Sequence, residues 1–262
     1  MIMILVWRMI KNISIIYDTK KFISVKENFK LLTFSCFWLY FFMKVYAVIV
    51  GAGRGKRFGG LKQFIIFQGR PLLIYTTEIF EKSELVDSII IVVPKEMLRK
   101  TKKLLNFYCL KKVDEVIPGG ERRQDSVYNG IKAIKDDNGV VIIHDAVRPF
   151  ISQNLINKGI NLCKKYKAVI FGMPIFDTIK LVKGNKVIQT IPRVSPFAVQ
   201  TPQFFNIKLI KEAYDKVDFK KEFTDEASIL ESLGIPVYIF KGDPENIKIT
   251  TKQDLKFFKT SI

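Results

Sequence analysis

The chain has 262 residues, 48% of them hydrophobic, with 43 Lys and Arg against 25 Asp and Glu, a formal charge of +18. That length suits one large α/β domain or two small ones, and the charge points to anionic partners without choosing among nucleic acid, membrane and phosphorylated metabolites. Scattered Cys36, Cys109 and Cys163 and a lone His144 argue against a disulfide framework, a zinc site or a hydrolytic triad, and fit a reducing, cytoplasmic setting.

Residues 1–42 differ from everything after them. Their apolar run LLTFSCFWLYFF (31–42) is shorter than the roughly twenty residues that a bilayer span needs, and it lies too late for a signal peptide. The segment is expected to be an upstream extension, disordered or translated from a misplaced start. No membrane partner is expected.

From Met43 the pattern alternates. A strand at 45–50 enters GAGRGKRFGGLKQF (51–64). PLLIYTTEIFEK (71–82) then has helical spacing, with Pro71 as its first helical residue. A buried strand (88–94), a Lys-rich helix (96–106), a short strand (114–117) ending at Pro118-Gly119-Gly120 and a helix (122–135) follow. VVIIHDAVRPF (140–150) begins as a strand and runs into polar residues, before a helix at 152–166 and a strand at 168–173. Such alternation predicts a mostly parallel, twisted sheet with helices on both faces, a Rossmann-like α/β domain over 43–262. Between 177 and 200 the rhythm breaks into two alternating segments around KGNK, a predicted β-arm. It serves either as a dimerisation device or as an inert surface hairpin. Helices near 206–217 and 225–233, a strand at 237–240, NIKIT (246–250) and a terminal helix complete the chain.

Ligands of parallel sheets bind at the carboxyl ends of the strands. Three polar clusters fall there: the loop after residue 50, Gly119-Gly120, and His144 to Arg148. The loop packs five glycines with Arg54, Lys56, Arg57 and Lys62. Glycines let the backbone approach a ligand and cations attract anions, so the loop predicts a polyphosphate site, with a solvated basic turn as the competing reading. The Walker A pattern fails because Val50 stands where its first glycine belongs. The dinucleotide fingerprint fails at Lys56. Nucleotidyl transfer remains. Attack by one phosphate on the α-phosphate of a nucleoside triphosphate gathers negative charge that fixed cations stabilise, and an anionic phosphate nucleophile requires no histidine base.

GGERRQDSV (119–127), HDAVRPF (144–150), DTIK (177–180), TPQFF (201–205), TDEAS (224–228) and NIKIT occur in this order after the glycine loop and LKQF. Together they resemble the 2-C-methyl-D-erythritol 4-phosphate cytidylyltransferase family over essentially residues 43–262. The resemblance implies a GT-A-like nucleotidyltransferase fold, CTP as co-substrate, Mg²⁺ dependence, and a homodimer whose β-arms reach into each other's sites. It implies that Arg57 and Lys62 stabilise the transition state at the α-phosphate, and that Arg193 and Lys248 position the methylerythritol phosphate. Gly51, Ala52, Gly53 and Gly55 would cradle CTP, with Gly120, Arg123 and Ser126 reading cytosine. Asp145, Ala146, Arg148, Thr178 and Thr224 would contact the polyol phosphate, Asp145 through its hydroxyls or beside the metal. Val50-Gly51 and Leu61 depart from the family's usual Ala-Ala-Gly opening and its proline before Lys-Gln. HDAVRPF also resembles the ribitol-5-phosphate cytidylyltransferases, the nearest alternative. A non-catalytic basic nucleic-acid-binding protein is the alternative of another class, disfavoured because the basic segments lack interleaved aromatics.

Taken without the resemblance, Thr224-Asp225-Glu226 is simply a well-capped helix start, Arg193 a surface cation, and Asp145 with Arg148 an ion pair. His144 is expected to be a satisfied buried histidine with no chemistry.

Overall fold

Runs of β-branched residues build the middle of a seven-stranded sheet. The computed structural model describes residues 43–55, 58–192, 196–251, 253 and 254. The extension 1–42, Arg57, Arg193 and most of the expected terminal helix lie outside the described residues.

Within the compact unit Lys44–Ile262, β1 (Lys44–Val50) runs into the glycine loop. The short pair β2 (Ile66–Phe67) and β3 (Arg70–Pro71) leads to α1 (Leu72–Glu81). Next come β4 (Ser88–Val93), α2 (Leu98–Phe107), β5 (Val113–Pro118) and α3 (Arg123–Ala133). β6 (Gly139–Asp145), α4 (Gln153–Tyr166) and β7 (Ala168–Pro174) continue the alternation. The hairpin β8 (Lys180–Lys183) and β9 (Lys186–Thr190) precedes β10 (Phe197–Asn206). α5 (Ile207–Lys216), α6 (Glu226–Ser232) and β11 (Tyr238–Lys241) follow.

The sheet order is β11-β7-β10-β6-β1-β4-β5. Its pairings are parallel except where β10 runs against both β6 and β7. Every residue of β4 and β6 is buried, as a sheet covered on both faces demands. Val127 and Ile131 of α3 and Ile210 and Ala213 of α5 pack with Val48, Val92 and Val141 on one face. His144 points to the other face, its ring 5.0 Å from that of Phe80 on α1. Each fully buried Ile or Val contributes about 1.5–3 kcal/mol, so truncating Ile142 to Ala at the sheet centre should cost about 2–5 kcal/mol.

Caps set the helix starts. Ser152 accepts a hydrogen bond from Leu155 N (3.3 Å), Asn206 from Leu209 N (3.1 Å) and Asp225 from Ser228 N (3.0 Å). A cap of this kind stabilises by about 1 kcal/mol.

The structure corrects the sequence reading at four places. Pro71 is extended (ψ 138°) and precedes α1 instead of opening it. The Lys-rich helix begins with a 3₁₀ turn at Lys95–Met97. Asp225, not Thr224, caps α6, because the aspartate carboxylate accepts the helix amide. The β-arm is confined to Lys180–Thr190, and Phe197–Asn206 is a strand of the main sheet. Pro202 would forbid a central strand, but the register shifts between Gln200 and Phe204, and this bulge absorbs it. The NIKIT segment is irregular, yet it is tied down: Asn246 Nδ2 donates to Thr201 O (2.8 Å) and Ile249 N to Val147 O (2.9 Å).

Candidate active site

The carboxyl ends of β1, β4, β5 and β6 converge on a cleft of about 870 Å³. The glycine loop forms one wall. Its root is fixed by Gly51 N donating to Val92 O (2.7 Å) and by Gln63, a buried side chain whose Nε2 donates to Gly51 O (2.6 Å) and Gly53 O (3.2 Å). The loop turns at Gly55, φ +61°, whose carbonyl accepts from the amides of Phe58, Gly59 and Gly60. Only glycine fits there, since a Cβ would lie 1.9 Å from Gly60 O. Lys62 follows on a 3₁₀ turn, and its ammonium donates to Ile249 O (2.9 Å).

The opposite wall is the turn after β5. Gly119 sits against Ala52, where a Cβ would come within 2.2 Å of the alanine methyl. Gly120 N donates to Ser126 Oγ (3.0 Å). The start of α3 is held by Arg122, which donates to Asp125 and to Phe219 O (2.7 Å), so the 219–223 segment is clamped against the helix. Gln124 completes the clamp, accepting from Phe223 N (2.7 Å).

Asp145 closes the floor at the end of β6, with Lys248 Nζ 2.6 Å from Oδ2, Arg123 Nε 3.4 Å from Oδ1 and Arg148 Nε 3.9 Å from Oδ2. Burial would raise this carboxyl, but Arg123, Lys248 and Arg148 outweigh it and hold it well below the usual carboxylate range. Arg123 Nη1 also pairs with the fully buried Glu226 at 2.9 and 3.1 Å. Burial opposes the Arg123 charge, yet Glu226 and Asp145 together raise its pKa. Burial raises Glu226 against the pull of Arg123. Arg148 is nearly buried, is lowered by that burial, and donates through Nη1 to Asn246 O (2.8 Å).

His144 donates from Nε2 to Arg148 O (3.0 Å), so its proton sits on Nε2, and Nδ1 has no partner among the described residues. Burial lowers its pKa to about 4, and it stays neutral at physiological pH.

Of the residues named from sequence, the cleft lining gathers Gly51, Ala52, Gly53, Gly55, Lys62, Gly120, Arg123, Ser126, Asp145 and Lys248. Ala146 is fully buried behind Gly51, and its amide donates to Val50 O (2.9 Å). Arg148 is packed under Asp145, while Thr178 and Thr224 are exposed and outside the lining. Sequence reasoning overlooked Gln63, Arg122 and Glu226, and it counted Arg54 among the loop cations without giving it a role, although Arg54 lines the cleft. Glu226 had a signal. It was the second acid of a helix start, and its fully buried side chain has Arg123 as its cationic partner.

A glycine-walled cleft at the carboxyl edge of a parallel sheet, lined with cations and lacking a poised nucleophile–base pair among the described residues, defines a nucleotidyltransferase-type site. The family model described as IspD, 2-C-methyl-D-erythritol 4-phosphate cytidylyltransferase, matches residues 45–260. Relatives named 2-C-methyl-D-erythritol 4-phosphate cytidylyltransferase include one from Dictyoglomus thermophilum, 42% identical over 217 residues, which span 81% of this chain and 94% of that one. Another, from Halalkalibacterium halodurans, is 39% identical over 218 residues, 82% of this chain and 95% of that one. The crystal structure of the Francisella tularensis 2-C-methyl-D-erythritol 4-phosphate cytidylyltransferase superposes with a TM-score of 0.72 at 30% identity, covering 84% of this chain and 100% of that one. The chain belongs to the 2-C-methyl-D-erythritol 4-phosphate cytidylyltransferase family.

Proposed function

We propose that the protein transfers CMP from CTP to 2-C-methyl-D-erythritol 4-phosphate, giving 4-diphosphocytidyl-2-C-methyl-D-erythritol and pyrophosphate. One observation carries this reading beyond family membership: the glycine loop with Lys62 and the Asp145–Lys248 pair share one cleft. A phosphate oxygen of the acceptor attacks the α-phosphorus of CTP, a new P–O bond forms, and the bond to the β-phosphate breaks to release pyrophosphate. Charge peaks at the α-phosphate between two anionic groups, and fixed cations stabilise it most when water is excluded.

In this reading the amides of the 51–55 loop cradle the triphosphate and Lys62, with Arg57, meets the charge that develops at the α-phosphate. Lys62 must exchange Ile249 O for phosphate when CTP enters. The Gly119–Gly120 turn and Ser126 face the base. Cytosine presents an amino donor where uracil presents an acceptor, which carbonyls of a glycine turn can tell apart. Lys248, anchored on Asp145, lies where the acceptor's phosphate approaches, and Arg193 assists it. Arg148 supports Asp145 from below and Ala146 fixes the loop root. Thr178 and Thr224 would reach substrate only across a subunit contact or after a segment movement.

Among the described residues no group of three or more His, Cys, Asp or Glu side chains is placed to hold a metal ion, so a Mg²⁺ would enter on the triphosphate, held by phosphate oxygens, with Asp145 as the buried carboxylate facing the cleft. When bound, the ion neutralises phosphate charge.

The β-arm supports a homodimer. Leu181, Val182, Val187 and Ile188 are each about half exposed, and adjacent residues of a strand point to opposite faces. A lone two-stranded hairpin with apolar groups on both faces is marginal in water, so a second copy is the natural cover. Among the described residues no helix is long and apolar enough to cross a membrane, and a cytoplasmic location suits both the substrates and the free thiols of Cys109 and Cys163.

The test is Mg²⁺-dependent pyrophosphate release from CTP with methylerythritol phosphate, run beside ribitol 5-phosphate. Turnover of the first at a higher kcat/KM supports the reading. Preference for ribitol phosphate overturns it.

A further inference from the structure

Among the described residues Asp145 has three cationic neighbours but is not shared equally among them. Lys248 holds one oxygen at 2.6 Å, whereas Arg123 reaches the other only at 3.4 Å. The reason lies one residue further in. Glu226 is fully buried, takes Arg123 Nη1 on both carboxylate oxygens at 2.9 and 3.1 Å, and accepts the Tyr214 hydroxyl at 3.3 Å. Tyr214 is itself buried, so Glu226 sits on a rigid support formed by α5.

We propose that Glu226 is a positioning residue for the acceptor side of the site: by drawing Arg123 away from Asp145, it leaves Asp145 free to anchor Lys248. Charge counting supports the division. Arg123, Arg148 and Lys248 supply three positive charges to the negative charges of Asp145 and Glu226. Within these five side chains one net positive charge remains, where an anionic phosphate is to be held. Without the Glu226 charge, Arg123 has one carboxylate within reach, and it competes with Lys248 for Asp145. The arginine wins such a contest, because its planar fork suits a carboxylate and its backbone is fixed as the first residue of α3. Lys248, 38% exposed at its side chain, then swings into solvent. Glu226 does not line the cleft in which both substrates are proposed to bind.

The kinetic part of this inference rests on the proposed function, so its test has one arm with substrates and one without. Glu226→Gln keeps the volume and removes the charge. It should raise KM for the acceptor about tenfold, the scale of coupling inside one ion-pair network, with a clearly smaller change in KM for CTP, whose base-side turn Arg123 also adjoins. Glu226→Asp, which restores the charge on a shorter stem, should recover part of the loss. Tyr214→Phe, a milder change that keeps the core filled, should shift the acceptor KM the same way by about threefold. In a Lys248→Ala background, Glu226→Gln should add nothing to the acceptor KM.

The second arm uses ligand-free protein labelled with ¹⁵N-lysine. The Lys248 ammonium resonance, assigned by its loss in Lys248→Arg, should be visible in the parent and exchange-broadened in Glu226→Gln and, less so, in Tyr214→Phe. A purely structural role predicts a lower Tm with both KM values and the Lys248 resonance intact. That result overturns the proposal, as does an equal rise in both KM values or a Lys248 resonance absent from the parent. If the parent turns over no methylerythritol phosphate, the proposed function falls while the resonance arm still decides the role of Glu226.

Discussion

Replacing Gly55 with Ala tests whether the glycine loop works by placing Lys62 or merely by being flexible and basic. Two costs can be separated. Gly55 has φ +61°, and a left-handed conformation costs an L-residue about 1–2 kcal/mol. Gly59, φ +83°, would incur the same cost in Gly59→Ala, but a Cβ there meets open space. At Gly55 the new Cβ would lie 1.9 Å from Gly60 O, so that carbonyl must retreat by about 1.5 Å to reach ordinary contact at 3.4 Å. Gly60 O in turn accepts from Lys62 N at 2.8 Å, so the displacement passes directly to the lysine backbone. A catalytic group misplaced by about 1 Å loses on the order of 10²-fold in rate. Gly55→Ala should therefore lower kcat/KM by about a hundredfold or more, and Gly59→Ala by about 5- to 30-fold at most, the population cost of about 1–2 kcal/mol of strain alone. The assay is steady-state pyrophosphate release with CTP varied at saturating acceptor, accompanied by thermal unfolding. Both variants should unfold within a few degrees of the parent, about 2–4 °C for each 1 kcal/mol. Equal losses in the two variants would refute the positional argument and leave the loop as a diffuse attractor.

Lys62→Ala should reduce kcat by roughly two to three orders of magnitude with a smaller change in CTP affinity, as should Arg57→Ala; stopped-flow CTP binding beside single-turnover rates separates the two effects. His144 should make the fold acid-labile. Its folded pKa of about 4 lies below the unfolded value of 6.5, so between those pH values the unfolded chain binds a proton that the native state refuses. Stability should fall by up to roughly 3 kcal/mol as pH drops from 7 to 4, and His144→Gln should flatten that slope in urea titrations; an unchanged slope would remove His144 as the cause. In the arm, Leu181→Glu with Val187→Glu should convert the proposed homodimer to a monomer in light scattering, and a mass unchanged from the parent would show that the hairpin is not a subunit contact.

The parallel half of the sheet was legible because its strands are near-continuous apolar runs ending at glycine or polar turns, and burial on both faces produces such a pattern. β10 was not. Its sequence QTPQ interrupts the apolar residues at the bulge, and only the open edge of β6 explains why it lies there. The cations of the site were visible as unusual residues beside glycine, whereas Gln63 and Glu226 act through buried contacts made across 12 and 103 residues. Local pattern carries no trace of such distant partners. Ala146 and Arg148 show the converse. They sit in a conspicuous motif, yet one supports the loop and the other lies beneath Asp145.

The antiparallel strand also has a consequence for how the chain is made. Until β10 is present, β6 has an open edge along Val140–Ile143, in a strand whose residues are all buried in the finished protein. Asn206 leaves the ribosome roughly 60 residues after Asp145, which at about 5–20 residues per second is about three to twelve seconds. The hairpin at Lys180–Thr190 lies within that interval and lengthens it. The nascent chain therefore spends those seconds as an unfinished sheet with a sticky edge, and it is then that chaperones have the most to protect.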